Sequence, residues 1–386
     1  MKKLAIITSH PIQYHAPWFR ILAERNNIKI KVFYTWSQAK EAVFDPGFNK
    51  NRAWDIPLLE GYEYCFVHNV SSNPGSHHFR GIDNPSLIRE TENWAPDAIL
   101  IFGWSFISHL KVLRYFKGKI QILFRGDSTL LDEPSGWALK KMGRRLLLSW
   151  VYSHVNKVLY VGTANRQYYK AHGLKEKQLL FAPHAVDNLR FTQTVEEDQR
   201  ALLGIPINAV VFIFTGKFQH KKDPKLLIEA FMRLEDETAH LLMVGDGELT
   251  ELLRDFVSRQ IFSISRRVHF LPFQNQNQMP GVYRIGNVFV LPSQGPGETW
   301  GLSVNEAMAC SLPILVSNKC GCAEDLVEEG ENGFVFRHSD AEDLKKKMKL
   351  CLDKQDKLKQ MGQRSRQIID SWSFDHICNT IEDALK

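Results

Sequence analysis

The chain has 386 residues, of which 44% are hydrophobic, 24% charged and 11% aromatic, with 24 Gly and 16 Pro, a composition that excludes disorder, collagen and coiled coil. Its formal net charge of +6 is unevenly spread: Met1 to Arg190 carries 26 Lys and Arg against 15 Asp and Glu, a balance of +11, and the remainder 23 against 28, a balance of −5. The first half therefore attracts anionic partners, yet no helix-turn-helix, RNA-recognition or zinc-finger pattern marks it as nucleic-acid binding.

The length is two to three times the common domain size of ~100–150 residues, which predicts two large domains with a cleft between them. No apolar run approaches the ~18–20 residues that cross a bilayer. The N-terminus, Met1-Lys2-Lys3 and then a short strand-like run, lacks the longer apolar region and cleavage site of a signal peptide, so a cytoplasmic location is expected. Six cysteines in a chain of this length do not suggest a disulfide scaffold. Cys320 and Cys322 form a lone C-x-C without a second ligand pair, read as packed residues, and no metal site is expected.

In chain order, β-rich runs fall at residues 4–9, 30–35, 98–103, 120–125, 157–162 and 179–183, then at 210–216, 241–245, 268–273, 287–293 and 313–317. They are near-continuous apolar and separated by stretches long enough for helices, the pattern of parallel sheets covered on both faces. The fold class is therefore α/β, with two successive doubly wound domains: residues 1–190, then 191–371, with a junction in the polar segment 187–200 that contains residues 192–198. Helical patterns follow at 340–352 and 357–369. A last helix, within 372–386 after an aromatic break, is expected to pack back on the first domain. Trp137, Lys140, Lys141, Arg144 and Arg145, interleaved with Leu139, Met142, Leu146, Leu147, Leu148 and Trp150, form a basic amphipathic helix. Such a helix either lies on an anionic membrane face or packs on a sheet with its basic side in water.

The strongest chemical signal spans residues 287–317, one βαβ unit whose loop lies at the C-terminal end of its first strand. Gly295, Gly297 and Gly301 allow close backbone approach, and a helix beginning near Gly301 offers free N–H groups and a positive dipole end to a phosphate. Glu298 precedes that helix and Glu306 lies inside it. Carboxylates beside an anion site suit the hydroxyls of a sugar, from which they accept hydrogen bonds. A second loop, 215–224, carries Gly216, Lys217, Lys221 and Lys222 after the first strand of the same domain, and together the two loops could hold a diphosphate.

Gly216-Lys217, Lys222-Asp223-Pro224, Gly245-Asp246-Gly247, Leu291-Pro292-Ser293, Gly297-Glu298-Thr299-Trp300-Gly301-Leu302, Asn305-Glu306-Ala307-Met308-Ala309 and Gly330-Glu331-Asn332-Gly333 resemble, in order and over about 130 residues, the C-terminal domain of GT-B retaining glycosyltransferases of family GT4, the glycosyl transferases group 1. In the first domain, residues 9–17, 125–128 and 183–187 resemble a bacterial surface-polysaccharide branch of that family. The resemblance implies two Rossmann-like domains facing a central cleft, a UDP- or GDP-linked sugar donor, no further cofactor, and a glycan or lipid-linked glycan acceptor. It further implies that Lys217 and Lys222 clamp the diphosphate, that Glu306 binds the ribose diol and that Glu298 contacts the donor sugar. Thr299, Trp300, Gly301 and Leu302 would border sugar and phosphate, and the loop at Phe273 would receive the base. His10, Gln13, Tyr14, Arg125 and Asp127 become acceptor-side candidates, with Arg125 and Asp127 also candidates for leaving-group contact. His10 and His184 fit equally a structural role. The first domain departs from the family where Pro11, Ile12 and Gln13 replace a Gly-rich turn.

Leaving-group stabilisation by Lys217, Lys222 and the helix terminus needs no metal, in keeping with the absence of a D-x-D sequence. By the resemblance, the anomeric configuration is retained through front-face attack. The rival readings are a nucleotide-sugar epimerase on the same architecture, a catalytically silent sugar-nucleotide-binding partner and, with less support, a glycoside hydrolase.

Overall fold

The structure is a computed structural model describing residues 1–37, 43–45, 50–52, 54–133, 139–193 and 199–386. Trp137 and residues 194–198 of the expected junction lie outside them. The chain divides into two compact units: Met1–Val43, Ile56–His184 and Phe374–Lys386 form one, and Phe44–Asp55 with Ala185–Ser373 the other.

The strands, in chain order, are β1 (Lys2–Thr8), β2 (Ile28–Tyr34), β3 (Val43–Asp45), β4 (Lys50–Arg52), β5 (Glu63–Phe66), β6 (Ala98–Phe102), β7 (Gln121–Arg125), β8 (Lys157–Tyr160), β9 (Leu179–Phe181), β10 (Val210–Thr215), β11 (Ala239–Val244), β12 (Val268–Leu271), β13 (Val288–Leu291), β14 (Ile314–Ser317) and β15 (Gly333–Phe336). The first unit has a seven-stranded sheet in the order β5-β2-β1-β6-β7-β8-β9 and the second a six-stranded sheet in the order β12-β11-β10-β13-β14-β15. Every pairing in both is parallel. The central strands are sealed on both faces: Leu4 to Ile7, Ala98 to Ile101, and all of β10, β11, β13 and β14 are buried, which is why they read as unbroken apolar runs rather than alternating ones. The order reverses between β1 and β6 in one sheet and between β10 and β13 in the other. Such switch points open a crevice at the carboxyl ends of the strands.

Local signals set the helices that cover the sheets. Asp223 caps Pro224–Met232 by accepting from the Leu226 N–H, with proline at the first turn, and Asp340 caps Ala341–Leu352 through the Asp343 N–H. The terminal helix Phe374–Ala384 packs against Ala16–Glu24 of the first unit. Arg25 donates to the Asn379 amide oxygen at 2.8 Å, and the Thr380 hydroxyl donates to the Phe181 carbonyl at 2.8 Å. Among the described residues, no helix is long and apolar enough to cross a membrane.

His109 ties the ends of β2 and β6 in the first sheet together. It is fully buried, with Nδ1 2.9 Å from the Phe102 carbonyl oxygen and Nε2 3.0 Å from the Thr35 hydroxyl. Burial lowers its pKa from 6.5 to about 4, so between those values the unfolded chain holds a proton that the folded chain does not. Stability from this group is complete above pH 6.5 and is lost as pH falls towards 4, a contribution of ~1–2 kcal/mol at pH 5. Urea unfolding at pH 7 and pH 5 is expected to show a loss of stability that shrinks by about this amount in His109→Gln. An equal loss in the variant would contradict the assignment.

Candidate active site

The loops after β10 and β13 meet because those strands are neighbours in the second sheet. The Gln294 N–H donates to the Lys221 carbonyl at 3.0 Å and the Gln294 side-chain amide to the His220 carbonyl at 2.6 Å. The floor of the site is backbone against backbone. A Cβ on Gly245, where φ is +140°, would lie 1.9 Å from the Gly216 carbonyl oxygen, so only glycine lets the ends of β10 and β11 close. Gly301, with φ +105°, precedes the helix Leu302–Ala309 and has no side-chain cap, leaving first-turn N–H groups directed outward.

Two carboxylates stand beside this helix. Glu298 is 8% exposed. Its Oε2 lies 2.5 Å from Lys222 Nζ and accepts the Ser293 hydroxyl at 2.9 Å. The structure thus joins Lys222 and Glu298, one from each loop, in a nearly buried ion pair. An ammonium offers three donors, so this pairing leaves it able to meet an anion as well. Glu306 is buried on the second turn of the helix, and its Oε2 accepts the Tyr283 hydroxyl at 2.7 Å. Tyr283 also lies 2.7 Å from the Thr215 hydroxyl at the end of β10, which fixes the carboxylate between strand and helix.

Thr299 is half-buried, and the Trp300 indole N–H donates to the Asn305 side-chain oxygen at 2.8 Å. The carbonyls of Glu298 and Trp300 accept from the N–H groups of Gly321 and Cys322. The C-x-C cysteines therefore back the loop as buried free thiols, and burial pushes that of Cys320 up to about 12. Lys217 and Leu302 are half-buried. Phe273 follows β12, its N–H held by Asp246 at 2.9 Å. Its ring lies 6.4 Å from that of Trp54, a neighbour more than 200 positions away that no local pattern signals.

The first unit gathers a different set at the carboxyl ends of β1, β7 and β9. Arg125 is buried and donates to the carbonyls of Ala182 at 2.7 Å and Pro183 at 2.9 Å, while burial brings its pKa down to about 10. It braces the segment that carries His184, whose Nε2 is 3.9 Å from the half-exposed Asp127 carboxylate. His10 Nδ1 lies 3.0 Å from the Ser9 hydroxyl oxygen, and the ring stands edge-on to Trp36; burial lowers its pKa to about 4. His15 joins this group. Burial first, and then the positive charge of Arg125, hold it well below 6.5, so the cluster is kept neutral around one buried guanidinium. Gln13 and Tyr14 occupy the half-buried turn before Ala16.

Residues 195–368 match the family described as glycosyl transferases group 1. Among curated proteins, the chain is 29% identical over 195 residues to D-inositol 3-phosphate glycosyltransferase of Gordonia bronchialis, covering 48% of this chain and 42% of the relative. It is 28% identical over 187 residues to spore coat protein SA of Bacillus subtilis, covering 46% and 48%. The chain thus spans about half the length of the curated relatives it matches. Anabaena HepE in complex with UDP aligns over 100% of this chain and 99% of its own with a TM-score of 0.75 at 17% identity. The lipopolysaccharide outer core galactosyltransferase WaaB aligns over 99% of each chain with a TM-score of 0.69 at 16% identity. The chain has the GT-B fold, and the stretch of its second unit from 195 to 368 matches the group 1 glycosyltransferase family.

Proposed function

We propose that the protein transfers a sugar from a UDP-linked donor to a hydroxyl of a glycan or lipid-linked glycan in the synthesis of a cell-surface polysaccharide, with the anomeric configuration retained and without a metal ion. The observation that carries the reading is the meeting of Lys222 with Glu298 at 2.5 Å beside the uncapped helix after Gly301. It sets a cation and free N–H groups for a diphosphate next to a carboxylate for sugar hydroxyls. The UDP of HepE and the galactosyl transfer named for WaaB belong to proteins of the same fold and support this donor class.

In the proposed reaction the bond between the anomeric carbon and the phosphate oxygen breaks as the acceptor hydroxyl oxygen forms its bond on the same face of the ring. The hydroxyl proton passes to the departing diphosphate. Negative charge gathers on that diphosphate, and Lys217, Lys222 and the helix N-terminus are there to receive it. Glu298 orients the sugar, Glu306 accepts the ribose hydroxyls through the carboxylate that Tyr283 positions, and Phe273 with Trp54 flanks the base. Arg125 acts on the acceptor side as a brace, with Asp127, His10, Gln13 and Tyr14 as the groups nearest the acceptor.

Because Tyr283 holds Glu306 only through its hydroxyl, Tyr283→Phe is expected to raise KM for the donor about three- to tenfold with kcat nearly unchanged, as the loss of one hydrogen bond implies. A fall in kcat at unchanged KM, measured by steady-state UDP release, would contradict the ribose role of Glu306. The function itself is tested by incubating the protein with UDP-glucose and UDP-galactose in EDTA, with a panel of glycan acceptors. Glycoside plus UDP is the expected product. An epimerised nucleotide sugar, or free sugar formed at the same rate without acceptor, would overturn the proposal.

A further inference from the structure

Two consecutive residues of the loop after β13 hold the two halves of the Lys222–Glu298 ion pair. Ser293 donates its hydroxyl to the Glu298 carboxylate at 2.9 Å, and its carbonyl accepts the Ser317 hydroxyl at the end of β14. Gln294 takes the lysine side. Lys222 closes a single 3₁₀ turn, His220–Lys222, in which His220 and Lys221 are exposed, so the turn is placed by hydrogen bonds more than by burial. The Gln294 main-chain N–H donates to the Lys221 carbonyl at 3.0 Å and its side-chain amide to the His220 carbonyl at 2.6 Å. From the other side, the His220 N–H reaches Glu248 Oε1 at 3.4 Å.

Gln294 is itself held. The Ser339 hydroxyl, in the loop after β15, donates to Gln294 Oε1 at 3.3 Å, a contact that spans β14, the strand between β13 and β15 in the sheet. A carboxamide carries an acceptor and donors at one end, so Gln294 accepts from one loop while donating to another, which a carboxylate cannot do. The loop that presents Ser339 is pinned to the end of β14 by His338, whose N–H donates to Asn318 Oδ1 at 3.0 Å and whose Nδ1 lies 2.8 Å from the same atom. Ser339 stands at a φ of +56°, the left-handed region that strains most L side chains and suits glycine or asparagine. Such strain persists where the surroundings over-determine it, often beside a functional site.

We propose that Gln294, braced by Ser339, is a positioning residue of the donor site. It presets the turn of Lys222 against Glu298, so that the ammonium meets a diphosphate without reordering of the loop. The inference rests on the diphosphate role proposed for Lys222, and Gln294 acts through that lysine rather than on the substrate. A preset loop has less freedom to lose on binding, which raises affinity.

The test is titration calorimetry of the full chain with UDP in EDTA, paired with thermal unfolding of the ligand-free protein. Gln294→Ala is expected to weaken UDP binding about five- to tenfold and Ser339→Gly about two- to threefold, the range for the loss of one hydrogen bond. Ser339→Gly and Ser339→Asn both relieve the left-handed strain, so each should keep or raise the thermal midpoint. Asparagine retains a donor for Gln294 Oε1 and should restore the affinity lost in Ser339→Gly. Affinity thus falls in Ser339→Gly while stability does not, which a purely structural role would not produce. Unchanged UDP affinity in either Gln294→Ala or Ser339→Gly would overturn the proposal and leave the role of Lys222 standing. Equal weakening in Ser339→Asn and Ser339→Gly would overturn it too. Should Gln294→Ala fail to fold, the two Ser339 variants decide. Absence of UDP binding by the unaltered chain would overturn both this proposal and the donor-site reading beneath it.

Discussion

Replacing Lys222 by alanine is expected to lower kcat for transfer by about 100- to 1000-fold, the range found when one preorganised group facing a developing negative charge is removed. Lys222 projects from the loop after β10, and its ammonium is held 2.5 Å from Glu298 before any substrate arrives. In the proposed reaction a diphosphate would meet a cation already in place. The same pairing means that the substitution also leaves a carboxylate only 8% exposed that accepts from the Ser293 hydroxyl but has lost its cation. Loss of one partner from a buried pair typically costs ~3–5 kcal/mol of stability, and this pair, with the lysine side chain 16% exposed, lies towards the lower end. The variant Lys222→Ala with Glu298→Gln separates the two effects. It should recover most of the lost stability while transfer remains as slow as in the single variant. Glu298→Gln alone keeps the Ser293 contact and should reduce kcat more than it raises the donor KM, since the carboxylate is assigned to sugar orientation rather than nucleotide affinity. Recovery of turnover in the double variant would show that Lys222 serves only to neutralise Glu298.

The second large effect concerns the floor of the site. Gly245→Ala sets a Cβ 1.9 Å from the Gly216 carbonyl oxygen at a backbone φ of +140°, and both obstacles are backbone, so no rotamer relieves them. Overpacking and forced backbone strain each cost ~1–3 kcal/mol, giving an expected loss of about 3–5 kcal/mol, a large part of the ~5–15 kcal/mol that keeps a domain folded. Gly143→Ala is the matched control. That glycine lies in the exposed helix Leu139–Tyr152, where an added Cβ meets nothing within 4 Å, and the change should be neutral or stabilising by up to ~1 kcal/mol. Denaturant unfolding of the two variants side by side checks the contrast. Equal midpoints would contradict the close approach of β10 and β11.

The central strands were legible in the sequence because burial on both faces writes an uninterrupted apolar run, as in β6 and β13. The edges were not. The strand β5, Glu63-Tyr64-Cys65-Phe66, is half in water and reads as polar, and β15 is four residues starting on Gly333, the last residue of a stretch read only for its family resemblance. The lysines and glutamates were legible as candidates from their spacing around turns and a helix start. What held each of them was not. The hydroxyls of Ser293 and Tyr283 and the ring of Trp54 are brought in by tertiary register, which local sequence does not encode. Arg125 shows the same limit: a basic residue at a strand end reads as a substrate contact, and nothing local in sequence signals that its Nη1 and Nη2 each donate to a carbonyl, those of Ala182 and Pro183. For the helix Leu139–Tyr152, periodicity marks an apolar stripe but is silent on whether it faces the core or water, and here a separate face supplies the packing.

The central claim is that the loops carrying Lys222 and Glu298 form a nucleotide-diphosphate site, and thermal unfolding with UDP, GDP, ADP or CDP in EDTA, on the unaltered chain and on Lys222→Ala, tests it most directly. Ligand at about 100 times its dissociation constant stabilises a folded protein by ~2.7 kcal/mol. The account predicts that UDP raises the midpoint of the unaltered chain and that this rise is lost in Lys222→Ala. No shift with any of the four nucleotides at saturating concentration, or an equal shift in the variant, would contradict it.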